Sequence, residues 1–325
     1  MEKQLQESIV KAIKYFTIFA YHPTLKEIHT FLQVKISKNS LNIELNRMNR
    51  LRIINKYKIK NENTDRYTVG EYDIKKIKNL ELKIKNSKKK LNDWWFRLYT
   101  KLILIFPQIK LVGLSGSISM MNAEKNDDID LFIITAKNRL FTGRLISLVL
   151  AQILGLRRKR DQIKTQSTKR KEGEDSCVIK NNHDSSKKHK YKVCLNLFFD
   201  ESNLKVPKFK QTEFVGHEVL QMRPIIDKQG TYEHFLKANK WVISIFPNTV
   251  EFISNIKNQR SQTKPKFKTL IFKLGFNLGT LIFDLFEKVS KKLQLTSINH
   301  HRTTEIITPT QLWFHPDDFE KKIKY

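Results

Sequence analysis

Asp128 and Asp130 are separated by one apolar residue, Ile129, and lead into a run of strand formers, Leu131-Phe132-Ile133-Ile134. Side chains alternate faces along a strand, so the two carboxylates share a face, about 7 Å apart by the strand rise. Ionised carboxylates that close repel each other and call for a cation. Mg²⁺ suits them, because it is a hard ion that takes oxygen ligands and keeps positions open for phosphate oxygens. Upstream, Ser115-Gly116-Ser117 follows the apolar run Ile109–Leu114. Glycine lets backbone approach an anion closely, and Ser117 with the N–H groups behind it can hold phosphate at a helix N-terminus. One short stretch therefore offers a metal-binding pair and an anion cradle.

A bare Asp-x-Asp is commonly a strand end with solvated acids. Here a strand, a small-residue turn with a short helix-like segment, and a second strand stand in order over residues 109–135. In that order and spacing the stretch resembles the signature of the DNA polymerase β-like nucleotidyltransferase superfamily: a hydrophobic residue, Gly-Ser, a spacer, then Asp-x-Asp in a strand. The resemblance implies an α/β (α+β) fold, a small mixed sheet with flanking helices, reaching to about residue 205. It also implies transfer of a nucleoside monophosphate from an NTP to an acceptor hydroxyl. Mg²⁺ or Mn²⁺ would sit on Asp128 and Asp130, and Gly116 and Ser117 would hold the triphosphate. Members of that superfamily carry a third carboxylate on a neighbouring strand, which completes the metal site and helps deprotonate the attacking hydroxyl.

Strand character returns at residues 191–199, YKVCLNLFF, followed by Asp200. Strict alternation places Lys192, Cys194, Asn196, Phe198 and Asp200 on one face. Asn196 lies where the third acid is expected, but an amide is a weak ligand and no base. Asp200 has the right chemistry four residues later, about 13 Å further along a regular strand, and a bulge or an early strand end would bring it in. The expectation is Asp200 as the third acid and Asn196 as a substrate contact. Arg139 and Arg144, just before an apolar helix expected over 145–156, could reach a triphosphate through bidentate guanidinium pairing, or could simply flank that helix at the surface.

Around this unit the chain divides into four. Residues 1–72 show apolar residues at helical spacing (Leu5, Ile9, Ile13, Phe16), a Thr24–Glu27 capping box, and a third helix that Ser40 could cap. A hairpin over 53–69 completes a pattern that resembles a winged helix-turn-helix domain. In that fold the third helix enters the major groove, and this one shows Lys38, Asn39, Asn42, Asn46, Arg47 and Arg50. Such domains also dock proteins. Residues 73–108 read as a helical connector whose aromatic half packs on the sheet and whose Lys-rich half, Lys75 to Lys90, is a solvated face. Residues 157–190 are Lys/Arg-rich without hydrophobic periodicity and read as a basic mobile loop inside the 109–205 domain. Residues 206–325 read as a helical C-terminal domain, with His217 a packed histidine or a nucleobase contact.

A formal charge of +29 over 325 residues implies anionic partners, nucleic acid among them, although Lys-, Ile- and Asn-rich composition alone accounts for part of it. Two cysteines, Cys177 and Cys194, exclude a disulfide framework and a four-cysteine zinc site. No uninterrupted signal-peptide core or membrane span is present, so a soluble cytoplasmic protein is expected. Two functions fit: an Mg²⁺-dependent nucleotidyltransferase, or a weak or inactive relative that senses nucleotides while bound to DNA.

Overall fold

The computed structural model describes residues 2–59, 62–70, 73–158, 191–250, 253, 276–300 and 305–314. The expected basic loop therefore lies, from residue 159 onward, outside the described residues, as do Cys177 and the tail beyond 314. The chain is mixed α/β, with one small antiparallel sheet and one mixed sheet flanked by helices.

The N-terminal lobe contains α1 (Glu2–Thr17), α2 (Leu25–Phe31), α3 (Lys38–Arg50) and the hairpin β1 (Ile54–Lys58) with β2 (Asp65–Val69). Thr24 and Glu27 form the reciprocal capping box that starts α2. The cap of α3 is Ser37 rather than Ser40: its hydroxyl accepts from the Ser40 amide, so the helix opens a turn earlier than expected. Ile9, Ile13, Ile28, Leu41, Leu45 and Met48 form this lobe's own core.

The second core joins the lobe to the rest of the molecule. The clearest joint is His217, stacked between Tyr15 (ring centroids 3.6 Å apart) and Phe31 (4.2 Å). Asn248 adds polar stitches: it accepts from the Ile36 amide and donates to the Val34 carbonyl.

Next come α4 (Ile74–Leu91) and α5 (Trp94–Ile105), then β3 (Ile109–Leu114), the four-residue α6 (Gly116–Ser119), β4 (Ile129–Thr135), α7 (Leu140–Ile153) and β5 (Val193–Asp200). β4 pairs antiparallel with β3 and parallel with β5. Phe96, Tyr99 and Ile103 of α5 pack with Leu140, Phe141 and Ala151 of α7 on one sheet face, as expected for the aromatic half of the connector. α7 begins five residues before the expected start. Its first amides, those of Phe141 and Thr142, are held by the Glu287 carboxylate of a distant helix, a partner that local pattern does not reveal.

The C-terminal part is not purely helical. α8 (Glu213–Gln221) is followed by β6 (Arg223–Asp227), which pairs with β3 at one edge of the sheet. Pro224 is tolerated because the strand lies at the edge. α9 (Thr231–Ala238) and α10 (Val242–Ile245) occupy what reads in sequence as one helix. The break falls at buried Asn239, whose amide bonds Leu204 and Val206 of the preceding loop instead of continuing the helix. After α11 (Phe276–Asn299), β7 (Ile306–Ile307) and β8 (Gln311–Trp313) close the far side, giving the order β6-β3-β4-β5-β8-β7. No described helix is long and apolar enough to cross a membrane.

Candidate active site

The turn after β3 meets the start of β4. Ser115 is extended, and its amide donates to the Asp130 carbonyl at 3.0 Å. Gly116 then takes φ +58°, and a Cβ built there would lie 2.7 Å from Asp130 Oδ2. Both facts demand glycine: the backbone is left-handed and the space belongs to the carboxylate. The Ser117 hydroxyl donates to Asp127 Oδ2 at 3.1 Å, and the Glu124 amide donates to the same oxygen at 2.9 Å. That bracket closes the loop between the turn and the acids. It also means that Ser117, expected on a phosphate, has its hydroxyl spent on Asp127. A helix as short as α6 contributes amides here rather than a developed macrodipole.

Asp130 faces Cys194 across the β4–β5 ladder. Asn196 donates to Asp130 Oδ1 at 3.3 Å, and the Cys194 thiol donates to Asn196 Oδ1 at 2.8 Å. Asp128 Oδ2 lies 3.1 Å from Arg158 Nη1. This is ion-pair distance without hydrogen-bond alignment, and that oxygen is buried with no hydrogen-bond donor. Behind the acids, the fully buried Lys90 donates to the Asp127 carbonyl and sits 5.6 Å from the Tyr191 ring centroid.

Asp127, Asp128 and Asp130 thus stand among Lys90, Arg158 and Lys192. Burial, then Asp128 and Asp127, push the Asp130 carboxyl up to about 7. Burial raises Asp128 as well, against the opposing pull of Arg158 and Lys90. Burial lowers Lys90 while Asp127, Asp128, Asp130 and Glu124 hold it up. Burial, then Asp130 and Asp128, push the Cys194 thiol up to about 12, so it stays protonated and donates.

No family model, curated protein or solved structure matches this chain. The reading of the site accordingly rests on its own geometry.

Mg²⁺ or Mn²⁺ fits the donors present. They are hard oxygens, and Asp128 Oδ2 is a buried acceptor with no hydrogen bond to lose. Among the described residues no group of three or more His, Cys, Asp or Glu could hold a metal ion. Asp128 and Asp130 are the residues that would hold it, with the remaining positions left to water or substrate oxygens, as is usual for Mg²⁺.

Asp200 is not in this cluster. A bulge falls at Asn196, so Leu131 pairs with Leu195 but Phe132 pairs with Leu197. The extra residue breaks the alternation: Phe198 packs with the α5–α7 core while Phe199 packs with Phe132 on the opposite face. Asp200 stands opposite Thr135 at the far end of the strand. There its carboxylate accepts from the Arg139 amide at 3.3 Å, the Ser202 amide at 2.9 Å and the Ser202 hydroxyl at 2.5 Å. Asn196 and Cys194, not Asp200, are the β5 residues beside Asp130.

Arg139 and Arg144 do not reach the acids either. Arg139 pairs with Asp284 at 2.6 Å; Arg144 donates to Gln294 at 2.7 Å and covers the Phe314 ring. Both tie α7 to α11 and its surroundings. His217 is a packed histidine within an aromatic cage.

Sequence reasoning missed Arg158 and Asp127, and it placed Lys90 at the end of a solvated face, whereas the structure buries it. Lys90 carries a legible signal, because the buried stripe Ile77, Leu80, Ile84, Ser87 of α4 continues onto it at helical spacing. A lysine on the core side of an amphipathic helix calls for a buried partner.

Beside Asp130 a cavity of about 50 Å³ opens between the sheet and α8, with Ser115, Gly116 and Asp130 at one end and Phe132, Phe199 and Trp313 along its walls. It adjoins the acids with an apolar floor, which lowers the local dielectric and strengthens charge interactions there.

Proposed function

We propose that this chain binds a nucleoside triphosphate as its Mg²⁺ or Mn²⁺ complex at Asp128 and Asp130, and transfers the nucleoside monophosphate to an acceptor hydroxyl. The observation that supports this reading is the contact between Gly116 and Asp130: the glycine turn lies against the Asp130 carboxylate, so a phosphate approaching that backbone would meet a cation held by Asp130 and Asp128. Bound there, the metal would neutralise phosphate charge and leave the α-phosphorus open to attack. The Gly116 turn would align the phosphate chain, and Lys90 would hold the acids in place from behind. The acceptor oxygen bonds to the α-phosphorus, and the bond to the departing pyrophosphate breaks. The hydroxyl proton passes to water or a phosphate oxygen, since the Asn196 amide is no base.

The test is incubation of the full chain with each α-labelled NTP and Mg²⁺, beside the Asp128→Ala/Asp130→Ala double variant. Co-purified nucleic acid and the protein itself are the first acceptors. Label transfer or pyrophosphate release by the wild type alone supports the proposal. Release that survives in the double variant removes it.

Asn196 favours a second reading: a nucleotide-sensing regulator that binds the metal complex without turnover and contacts nucleic acid through a winged-helix lobe. Lys38, Asn39, Asn42 and Arg50 of α3 are exposed for such a contact. Asn46 and Arg47 are engaged within the lobe, with Lys56 and Glu44. Nucleotide binding without release, together with DNA affinity that falls steeply with salt, identifies this reading.

A further inference from the structure

We infer that Arg158 is a phosphate-binding residue that rests on Asp128 in the free protein and changes partner when metal and nucleotide arrive together. The inference rests on the metal–nucleotide reading of the site. Arg158 follows directly on Arg157, whose backbone bridges Val193, while the Val193 amide donates to the Leu156 carbonyl at 2.9 Å. Val193 pairs with Ile129, between the two aspartates. The main chain therefore anchors this arginine one position from the acids.

Its contact with Asp128 is an ion pair with poor alignment, and its side chain keeps 21% exposure. Lys90 differs: it is fully buried and tied to a carbonyl, so it cannot exchange. Arg139 and Arg144, the arginines that the sequence offers to a triphosphate, are committed near α11. Among the described residues, Arg158 is the arginine paired with either aspartate.

A divalent ion on Asp128 and a guanidinium on the same oxygen repel each other, so Arg158 opposes metal binding alone. A triphosphate brought by that ion presents oxygens where the guanidinium already stands, and the planar fork pairs with them bidentately. Arg158 then favours the complex. By linkage, it makes metal and nucleotide bind with positive cooperativity.

The effects of removing it have opposite signs, which a merely structural arginine would not show. The experiment measures Mn²⁺ binding to the full chain by the electron-paramagnetic signal of free Mn²⁺, alone and with the α,β-methylene analogue of each NTP, which cannot release pyrophosphate. Arg158→Gln is expected to bind Mn²⁺ alone roughly threefold to tenfold tighter and the Mn²⁺–analogue complex roughly tenfold to a hundredfold weaker. Arg158→Lys keeps the charge without the fork and is expected near wild type for Mn²⁺ but between the two for the complex. Arg157→Gln, an exposed neighbour of equal charge, is expected to change either affinity by less than about twofold.

Shifts of the same sign in Arg158→Gln, or both shifts reproduced by Arg157→Gln, overturn the inference, since net charge would then account for them. Unchanged affinities in Arg158→Gln overturn it while leaving the site reading intact. A wild type that binds neither Mn²⁺ nor any analogue overturns the site reading and this inference with it.

Discussion

Gly116→Ala tests the contact on which the site is built. Two costs arise separately. A side chain at φ +58° strains the backbone by about 1–2 kcal/mol. The new methyl would also stand 2.7 Å from Asp130 Oδ2, well inside the 3.4 Å of ordinary contact, so the carboxylate must retreat. Retreat weakens the 3.3 Å bond from Asn196, a further cost of about 1 kcal/mol at this buried position. The expected loss is about 2–3 kcal/mol of folding free energy, with weakened Mn²⁺ binding.

The second cost vanishes when Asp130 carries no carboxylate. A double-mutant cycle of Gly116→Ala with Asp130→Ala, read by urea unfolding in EDTA, should therefore show a coupling of about 1 kcal/mol, the glycine change being milder in the Asp130→Ala background. Additivity within about 0.5 kcal/mol would refute the reasoning. It would mean that Gly116 answers only to its backbone angle and that the turn does not press on the carboxylate.

Asn196→Asp adds a carboxylate beside Asp130 and is expected to tighten Mn²⁺ binding on the order of tenfold, while Asp200→Asn leaves that affinity unchanged and costs about 1–2 kcal/mol of stability at the start of α7. Titration of both variants with Mn²⁺ checks this, and the reverse pattern would put Asp200 in the site. His217 is held far below its ordinary range by burial and by Lys11, so the unfolded chain takes up its proton first, near pH 6.5. Its contribution is present above that pH and is lost as pH falls below it, by up to about 1.4 kcal/mol per pH unit. Melting temperatures from pH 7.5 to 4.5 should fall less steeply in His217→Phe; parallel curves would contradict the cage. Lys90→Met removes the buried cation behind Asp127, Asp128 and Asp130, and should cost about 3 kcal/mol near neutral pH. Mg²⁺ should restore part of that in a thermal melt, and a variant as stable as the wild type without metal would deny Lys90 its role.

Much of the architecture is legible in local pattern. The Thr24–Glu27 box, the hairpin over 54–69, the apolar runs of β3 and β4 and the helix at 213–221 all follow from capping chemistry and periodicity, which act between near neighbours. The proximity of Gly116 to Asp130 is only half legible: residues 115–128 separate the two strands, and it is the antiparallel pairing of Leu114 with Leu131 that brings the turn back to the acid. The partners of charged side chains are not legible. Arg139 and Arg144 find Asp284 and Gln294 far along the chain, and Lys90 finds the Asp127 carbonyl across a packed helix face. Such pairings depend on which surfaces meet.

The third position of the site divides the two kinds of information most sharply. Residue order alone gives the expectation of two carboxylates at one strand's start behind a glycine turn, and Asp128 stands just before β4 with Asp130 inside it. Whether Asn196 or Asp200 joins them depends on the register of β5 against β4 and on one extra residue at the bulge. That bulge turns Asp200 to the opposite face, and the unbroken pairing from Leu197 onward keeps it at the far end, where it holds the start of α7. Alternation counts residues, but pairing between strands decides where the count begins again, and only the folded sheet sets that.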